Sequence, residues 1–265
     1  MLTKQIIKLN LARNCLRYLI KIYGIKEIFV PYYSCNSIWQ AIKKENCRIK
    51  FYHINENFLP SVQFNKKDFI LYINYFGLCD ENCKNLSKIY PNLIVDNTHA
   101  FYSDNFGLAT FNSLRKFFNV QNGAYLYTTE VLDEKFEEDK FLFSPVTMQK
   151  NYEKFVQNEL ILDNENIKYI YPEIEEEMLK IDFEKDKQNR IKRYKEYQQK
   201  YNEYNLIRLN LNNQIPYCYP LSTNNDKIKQ KISECNIPLL SLWGNISTKF
   251  SEYQFLNNTV ALPLI

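Results

Sequence analysis

The sequence predicts an α/β fold: a large domain with a mostly parallel central sheet covered by helices, and a small α/β domain at the C-terminus. Two observations predict it. Up to residue 96, short apolar runs bounded by turn residues alternate with segments whose apolar residues recur every three or four positions. After Pro172 this alternation gives way to long amphipathic segments. The 265 residues suffice for both parts. We expect the large domain over residues 1–172, then linker helices and a shortened small domain over residues 173–265.

The first part of the chain is predicted to form successive helices and strands. Four apolar residues share one face of a first helix, which Gly24 closes: Leu16, Leu19, Ile20 and Tyr23. The segments that follow are, in order, strand 27–30, helix 38–42, strand 49–54, strand 69–73, helix 81–90 and strand 93–95. Asp96 follows the last of these strands. In a parallel sheet covered by helices, ligands bind at the carboxyl ends of the strands, so Asp96 lies where a site is expected.

The C-terminal part is predicted to begin with one or two amphipathic helices. Their apolar stripe consists of Met178, Ile181, Ile191, Tyr194, Tyr197 and Tyr201. The tyrosines are spaced as on one helix face, which indicates packing rather than base stacking. Beyond them we expect a small domain over residues 206–265, with strands at 206–209 and 217–221 and a helix at 225–234.

Composition excludes several classes of function. The net charge is only +4, and basic residues are interleaved with acidic ones, so nucleic acid is not an expected partner. No stretch is long and apolar enough for a membrane span, and the start at Met1 lacks the apolar core of an export signal. Seven irregularly spaced cysteines are typical of a reducing cytosol, so a cytoplasmic location is expected. Cys79 and Cys83 are expected to be buried thiols, and no metal site is predicted.

Two short motifs carry the chemistry. Asp96 opens the segment Asp-Asn-Thr-His-Ala at the end of an apolar run, and Lys116 ends the later segment Ser-Leu-Arg-Lys. Together these segments resemble the cofactor site of fold-type-I pyridoxal phosphate (PLP) enzymes, in which a carboxylate at a strand end meets the pyridine nitrogen and a lysine forms the Schiff base. The carboxylate keeps the pyridine nitrogen protonated, so that the ring withdraws electrons, and the lysine holds the aldehyde as a Schiff base.

Three further segments extend the pattern: residues 11–16 (Leu-Ala-Arg-Asn-Cys-Leu), 30–35 (Val-Pro-Tyr-Tyr-Ser-Cys) and 117–124 (Phe-Phe-Asn-Val-Gln-Asn-Gly-Ala). With the two motifs, they resemble the DegT/DnrJ/EryC1/StrS family of PLP-dependent, fold-type-I aminotransferases. The resemblance covers residues 10–130 in collinear order. It implies that the large domain has the fold-type-I PLP-transferase architecture, and that the chain is a short, divergent member.

The resemblance also implies roles for individual residues. Asp96 would meet the pyridine nitrogen, Lys116 would form the Schiff base, and His99 would lie near the phenolic oxygen. Thr98 would pack on the ring, and Ser113 would bind the cofactor phosphate.

The same phosphate would lie on the backbone amides of Ala12, Arg13 and Asn14 at the start of the first helix. Ala12 stands where the family has a glycine. Cys35 stands at the family's ring-stacking aromatic position. Arg115 is open to two interpretations, contact with a substrate phosphate or pairing with a surface acid.

The function that the resemblance implies is transfer of an amino group to a keto-sugar nucleotide in polysaccharide or secondary-metabolite biosynthesis. Glutamate is the expected amino donor, and a homodimer is expected because fold-type-I sites are built from two subunits. Two alternatives stay open. One is another PLP reaction on the same fold, such as decarboxylation or dehydration. The other is a PLP-transferase-like binding or scaffold protein without catalysis.

Overall fold

A computed structural model of the chain describes residues 3–140, 152–235, 239–240, 242–243 and 246–265. The segment up to residue 128 contains seven strands and four α-helices among the described residues. They are β1 (Gln5–Leu9), α1 (Ala12–Ile22), β2 (Glu27–Pro31), α2 (Asn36–Lys44), β3 (Arg48–Tyr52), β4 (Ile70–Ile73), α3 (Asp80–Ile89), β5 (Leu93–Asp96), β6 (Ala109–Phe111), α4 (Leu114–Phe117) and β7 (Ala124–Thr128).

The seven strands form one sheet in the order β1-β7-β6-β5-β4-β2-β3. Neighbouring strands from β6 through β5, β4 and β2 to β3 are parallel, and β7 runs antiparallel to both β1 and β6. The predicted α/β fold with a mostly parallel central sheet is confirmed. Every residue of β4 and β5 is buried, as in a sheet that is covered on both faces.

Helix α1 shows how sequence dictates this packing. Its inner face buries Leu16, Leu19 and Ile20, which recur at helical spacing. The helix ends at Ile22, and Gly24 follows in the left-handed region at φ +59°, where glycine has no steric penalty. The predicted closure of this helix is therefore observed.

The second part of the chain contains five α-helices and two strands among the described residues. They are α5 (Tyr152–Asn164), α6 (Pro172–Leu179), α7 (Phe183–Tyr201), β8 (Cys218–Leu221), α8 (Asp226–Glu234), α9 (Tyr253–Leu256) and β9 (Val260–Pro263). Strands β8 and β9 form an antiparallel pair. No helix in the described part of the chain has the length and apolar character needed to cross a membrane.

A buried arginine on α7 hydrogen-bonds to both the first and the second part of the chain. Arg190 Nη2 donates to the Phe117 carbonyl at 2.8 Å, and Nη1 donates to the Tyr217 carbonyl at 3.3 Å. Its Nε pairs with Asp186 at 2.8 Å, so the buried charge is compensated. These bonds fix the end of α4, which carries Lys116, against the segment that leads into β8.

The predicted strand at 206–209 is wrong. This segment has no regular structure, and the side chain of Asn205 occupies the Ile207 amide, one of the backbone groups that a strand would pair. Asn205 Oδ1 accepts from the amides of Ile207 and Ser222, and its Nδ2 donates to the Pro220 carbonyl. Strands β1, β6, β7 and β9 were not predicted from the sequence.

Candidate active site

Asp96 is the last residue of β5 and lies at the carboxyl edge of the sheet. Asp96 is only 2% exposed, and it pairs in register with Ile73 on one side and Phe111 on the other. Its Oδ1 accepts from the Thr98 amide at 2.8 Å. Burial raises the pKa of this carboxyl, while nearby Lys116 and the Thr98 hydrogen bonds oppose the rise. A cationic partner in the cleft would therefore stabilise the charged carboxylate.

Lys116 lies on the four-residue helix α4, and its Nζ is 2.9 Å from His99 Nε2. Desolvation lowers the pKa of Lys116, with the charges of Cys35 and Asp96 acting in the opposite direction. Burial and the nearby lysine hold the pKa of His99 well below its ordinary value. The imidazole is therefore neutral at neutral pH, and the lysine has a larger uncharged fraction than a surface lysine has.

Aromatic rings hold the His99 imidazole in a fixed plane. Tyr217 stacks on it at 4.5 Å between ring centroids and 11°, and Trp243 stacks at 5.1 Å and 5°. Gly77, at φ +72°, lies against the backbone of His99, and a Cβ there would come within 2.5 Å of the His99 carbonyl oxygen. His99 Nδ1 is buried without a hydrogen-bond partner in the described structure, so Nε2 is the ring nitrogen that acts on Lys116.

The first turn of α1 lines the cleft that holds Asp96 and Lys116. Leu11, Ala12 and Arg13 line the cleft, and a helix leaves its first amides free to bind an anion. Ala12 lies in the helix and outside the positive-φ region, so this turn does not require the family's glycine. Asn14 is placed differently from Ala12 and Arg13. Its amide bonds to the Leu11 carbonyl, and its side chain donates to Asn10 and to the Asn166 carbonyl, away from the cleft.

Cys35 and Ser113 lie at the starts of two further helices. Cys35 precedes α2 and accepts a hydrogen bond from the Ser37 hydroxyl at 3.1 Å. Ser113 precedes α4, and its side chain does not cap that helix, so the hydroxyl is available to a ligand. Both line the same cleft as Thr98 and Lys116.

Two arginines meet one carboxylate in this cleft. Glu159 on α5 accepts from Arg13 Nη2 at 2.9 Å and from Arg115 Nη2 at 3.0 Å. All three residues line the cavity. Of the two interpretations of Arg115, the structure shows a pairing with an acid, and that acid lies in the cleft.

The structure therefore brings together most of the predicted site. The predicted residues that line the cleft are Ala12, Arg13, Cys35, Asp96, Thr98, Ser113, Arg115 and Lys116. The cleft holds about 700 Å³ of empty space, part of it open to solvent. Sequence reasoning missed Glu159, Tyr217 and Trp243. They follow the motifs by many residues and belong to no recognisable pattern, so only the fold shows that they are neighbours.

These residues fit pyridoxal phosphate. The buried Asp96 carboxylate suits a protonated ring nitrogen, the Lys116 amine suits an aldehyde, and the Ser113 hydroxyl with the first α1 amides suits a phosphate. His99, whose Nε2 contacts Lys116, keeps a buried Nδ1 without a hydrogen-bond partner in the described structure, so the residues around the lysine retain unused hydrogen-bonding capacity.

The fold is that of PLP-dependent aminotransferases. A DegT DnrJ EryC1 StrS aminotransferase from Brucella abortus matches with a TM-score of 0.61 and 12% identity, over 98% of this chain and 81% of that chain. Spr1654 of Streptococcus pneumoniae, in its PMP form, matches with a TM-score of 0.68 and 13% identity, over 99% and 81%.

Helicobacter pylori PseC, an aminotransferase involved in the biosynthesis of pseudoaminic acid, matches with a TM-score of 0.64 and 13% identity, over 98% of this chain and 81% of its own. No protein-family model and no curated protein matches the sequence. The structural likeness confirms the predicted fold.

Proposed function

We propose that this protein is a PLP-dependent aminotransferase that acts on sugars. The observation that supports the proposal is that Asp96 and Lys116 line one largely buried cleft in a chain with the aminotransferase fold. When bound, pyridoxal phosphate supplies the electron-withdrawing ring that stabilises negative charge on the substrate carbon. The chain's residues bind the cofactor, orient it and move protons around it.

Asp96 is assigned to hold a proton on the ring nitrogen. Its carboxylate is fixed through the Thr98 amide, and its burial leaves few competing water contacts. A charged hydrogen bond in such surroundings is stronger than one in water.

Lys116 is assigned as the base that takes and returns a proton at the substrate carbon next to nitrogen. Its lowered pKa gives it the neutral form that this task needs. His99 Nε2 lies 2.9 Å from Lys116 Nζ and holds the amine in position. Because the imidazole is neutral, it places no second positive charge beside the amine.

The substrates are proposed from two kinds of support. The sequence motifs resemble a family that acts on keto-sugar nucleotides, and PseC, one of the similar structures, is an aminotransferase involved in the biosynthesis of pseudoaminic acid. We therefore assign glutamate as the amino donor and a keto-sugar nucleotide as the acceptor, in a biosynthetic pathway of the cytoplasm. The proposed domain division places residues 1–172 in the cofactor-binding domain.

The donor half of the reaction is directly testable. Added glutamate should convert the lysine-bound cofactor, which absorbs near about 420 nm, to the amine form near about 330 nm. A keto-sugar nucleotide should reverse the change. Release of carbon dioxide or loss of water without an amino acceptor would move the assignment to another PLP reaction. A protein that binds no pyridoxal phosphate at all would favour the scaffold alternative.

We also expect a homodimer. The exposed apolar side chains Leu160 and Ile161, 58% and 46% exposed, lie on α5, next to the glutamate that enters the cleft. Their burial against a second copy would stabilise the pair. Light scattering at micromolar concentration should give twice the chain mass of 31.9 kDa. A monomer with full cofactor loading would contradict this prediction.

A further inference from the structure

The arginine pair of the cleft is charge-balanced by the protein itself. Arg13 and Arg115 both donate to Glu159, at 2.9 and 3.0 Å, one to each carboxylate oxygen. The Arg13 side chain is 9% exposed, whereas those of Arg115 and Glu159 are 30% and 26% exposed. The arginines are therefore fixed on the wall of the cleft, and the carboxylate that joins them reaches solvent.

The two guanidinium groups need an anion between them. Desolvation lowers the pKa of Arg13, the like charge of Arg115 lowers it further, and Glu159 opposes both. Burial alone would raise the pKa of Glu159, but Arg115 and Arg13 together hold it below its ordinary value. Glu159 is therefore charged at neutral pH. Asp163 also pairs with Arg13, but it does not line the cleft.

We propose that Arg13 and Arg115 form an oxyanion subsite for a phosphate ester, and that Glu159 is the resident anion that this phosphate displaces. The proposal deepens the proposed function, because the cofactor and a sugar nucleotide both carry phosphates. It rests on the charge geometry of the cleft rather than on the Lys116 chemistry.

Exchange of the two anions is physically favourable. A carboxylate offers two oxygens and one negative charge, whereas a phosphate monoester offers three oxygens and nearly two charges at neutral pH. Arginine binds phosphate with two parallel hydrogen bonds, so two arginines can engage one phosphate on two sides. Glu159 is partly exposed, so rotation of its side chain carries the carboxylate into water without leaving a buried charge.

Calorimetry with inorganic phosphate, on the full chain without cofactor, tests the proposal. Glu159→Gln removes the competing charge and keeps the side-chain shape, so the affinity for phosphate should rise on the order of tenfold. Arg115→Gln should lower it by a similar factor. Glu165→Gln is the matched control, because Glu165 follows α5 but pairs with Lys168 outside the cleft. It should leave the affinity unchanged.

The result that overturns the proposal is unchanged or weaker phosphate binding in Glu159→Gln, with Arg115→Gln equal to the wild type. If Glu159→Gln fails to fold, which its melting temperature would reveal, the Arg115→Gln comparison decides alone. The protein could bind phosphate as proposed here and yet form no covalent adduct with pyridoxal phosphate. That result would contradict the proposed function and would still support this inference.

Two further titrations distinguish the source of the phosphate. Glu159→Gln should strengthen binding of pyridoxal phosphate relative to pyridoxal if the cofactor's phosphate enters the subsite. If the substrate's phosphate enters it, the substitution should instead strengthen binding of uridine diphosphate to protein whose cofactor has been fixed by reduction. Either result supports an oxyanion subsite. No change in either titration counts against it.

Discussion

Asparagine in place of Asp96 is expected to leave the protein folded and to lower turnover on the order of 10³-fold, about 4 kcal/mol in the barrier. The amide oxygen of asparagine can still accept from the Thr98 amide, so the turn after β5 keeps its hydrogen bond. The negative charge is lost, however. No residue charge would then hold a proton on the ring nitrogen of a bound cofactor, so the variant would lose the electron withdrawal that the protonated ring would supply.

Steady-state and single-turnover kinetics with glutamate measure this effect. Asp80→Asn is the matched control, because Asp80 is also a partly buried carboxylate, at the start of α3, but it accepts from Asn74 and Ser103 and does not line the cleft. It should lower stability more than turnover. If Asp96→Asn retains wild-type turnover, Asp96 serves only to end the strand.

Two of the strands that the sequence predicted, β4 and β5, are marked by continuous apolar runs. Strands β4 and β5 are buried on both faces, so every residue is apolar except the terminal Asp96, and the run is visible in the sequence. Strand β1 lies at an edge of the sheet and mixes exposed with buried residues, and β6 has only three residues. Their pairing depends on partners elsewhere in the chain, which local patterns do not reveal.

The site was predictable only in its local motifs. Asp96, Thr98 and His99 are close in sequence, and Lys116 follows them on the next helix, so one resemblance identified them together. The backbone amide of Asn14 was expected to bind the cofactor phosphate because of its place in the first turn of α1, but it donates to the Leu11 carbonyl. Glu159 and Trp243 reach the cleft from distant segments, and their type gives no sign of it.

The surroundings of Lys116 combine residues of the predicted motifs with residues from distant segments of the chain. Asp96 and Cys35, from the predicted motifs, act to raise its pKa, whereas burial acts more strongly to lower it. His99 stacks on Tyr217 and on Trp243, and its imidazole is a neutral neighbour of Lys116 rather than a second carboxylate. Rings from the later part of the chain therefore hold the neutral neighbour of a lysine that the earlier part supplies.

Alanine or arginine in place of Lys116 is expected to abolish the covalent adduct with pyridoxal phosphate and to lower turnover by at least about 10³-fold. Arginine tests charge apart from nucleophilicity, because the guanidinium keeps the cation near Asp96 but does not give up its proton. In the wild type, the rate of adduct formation should rise with pH and level off below the free-lysine pKa of about 10.4, since the pKa of Lys116 is lowered by burial.

Borohydride reduction of the wild-type protein with pyridoxal phosphate, followed by peptide mass mapping, should place the label on Lys116. Lys168→Arg is the control, because Lys168 pairs with Asp139 and Glu165 away from the cleft, and it should label as the wild type does. Neither Lys116 variant should carry the label. Because only an amine that lies within reach of the ring in its neutral form can bind the aldehyde, labelling of a different lysine would move the catalytic centre away from His99 and Asp96. The aminotransferase assignment would then lose the geometry on which it stands.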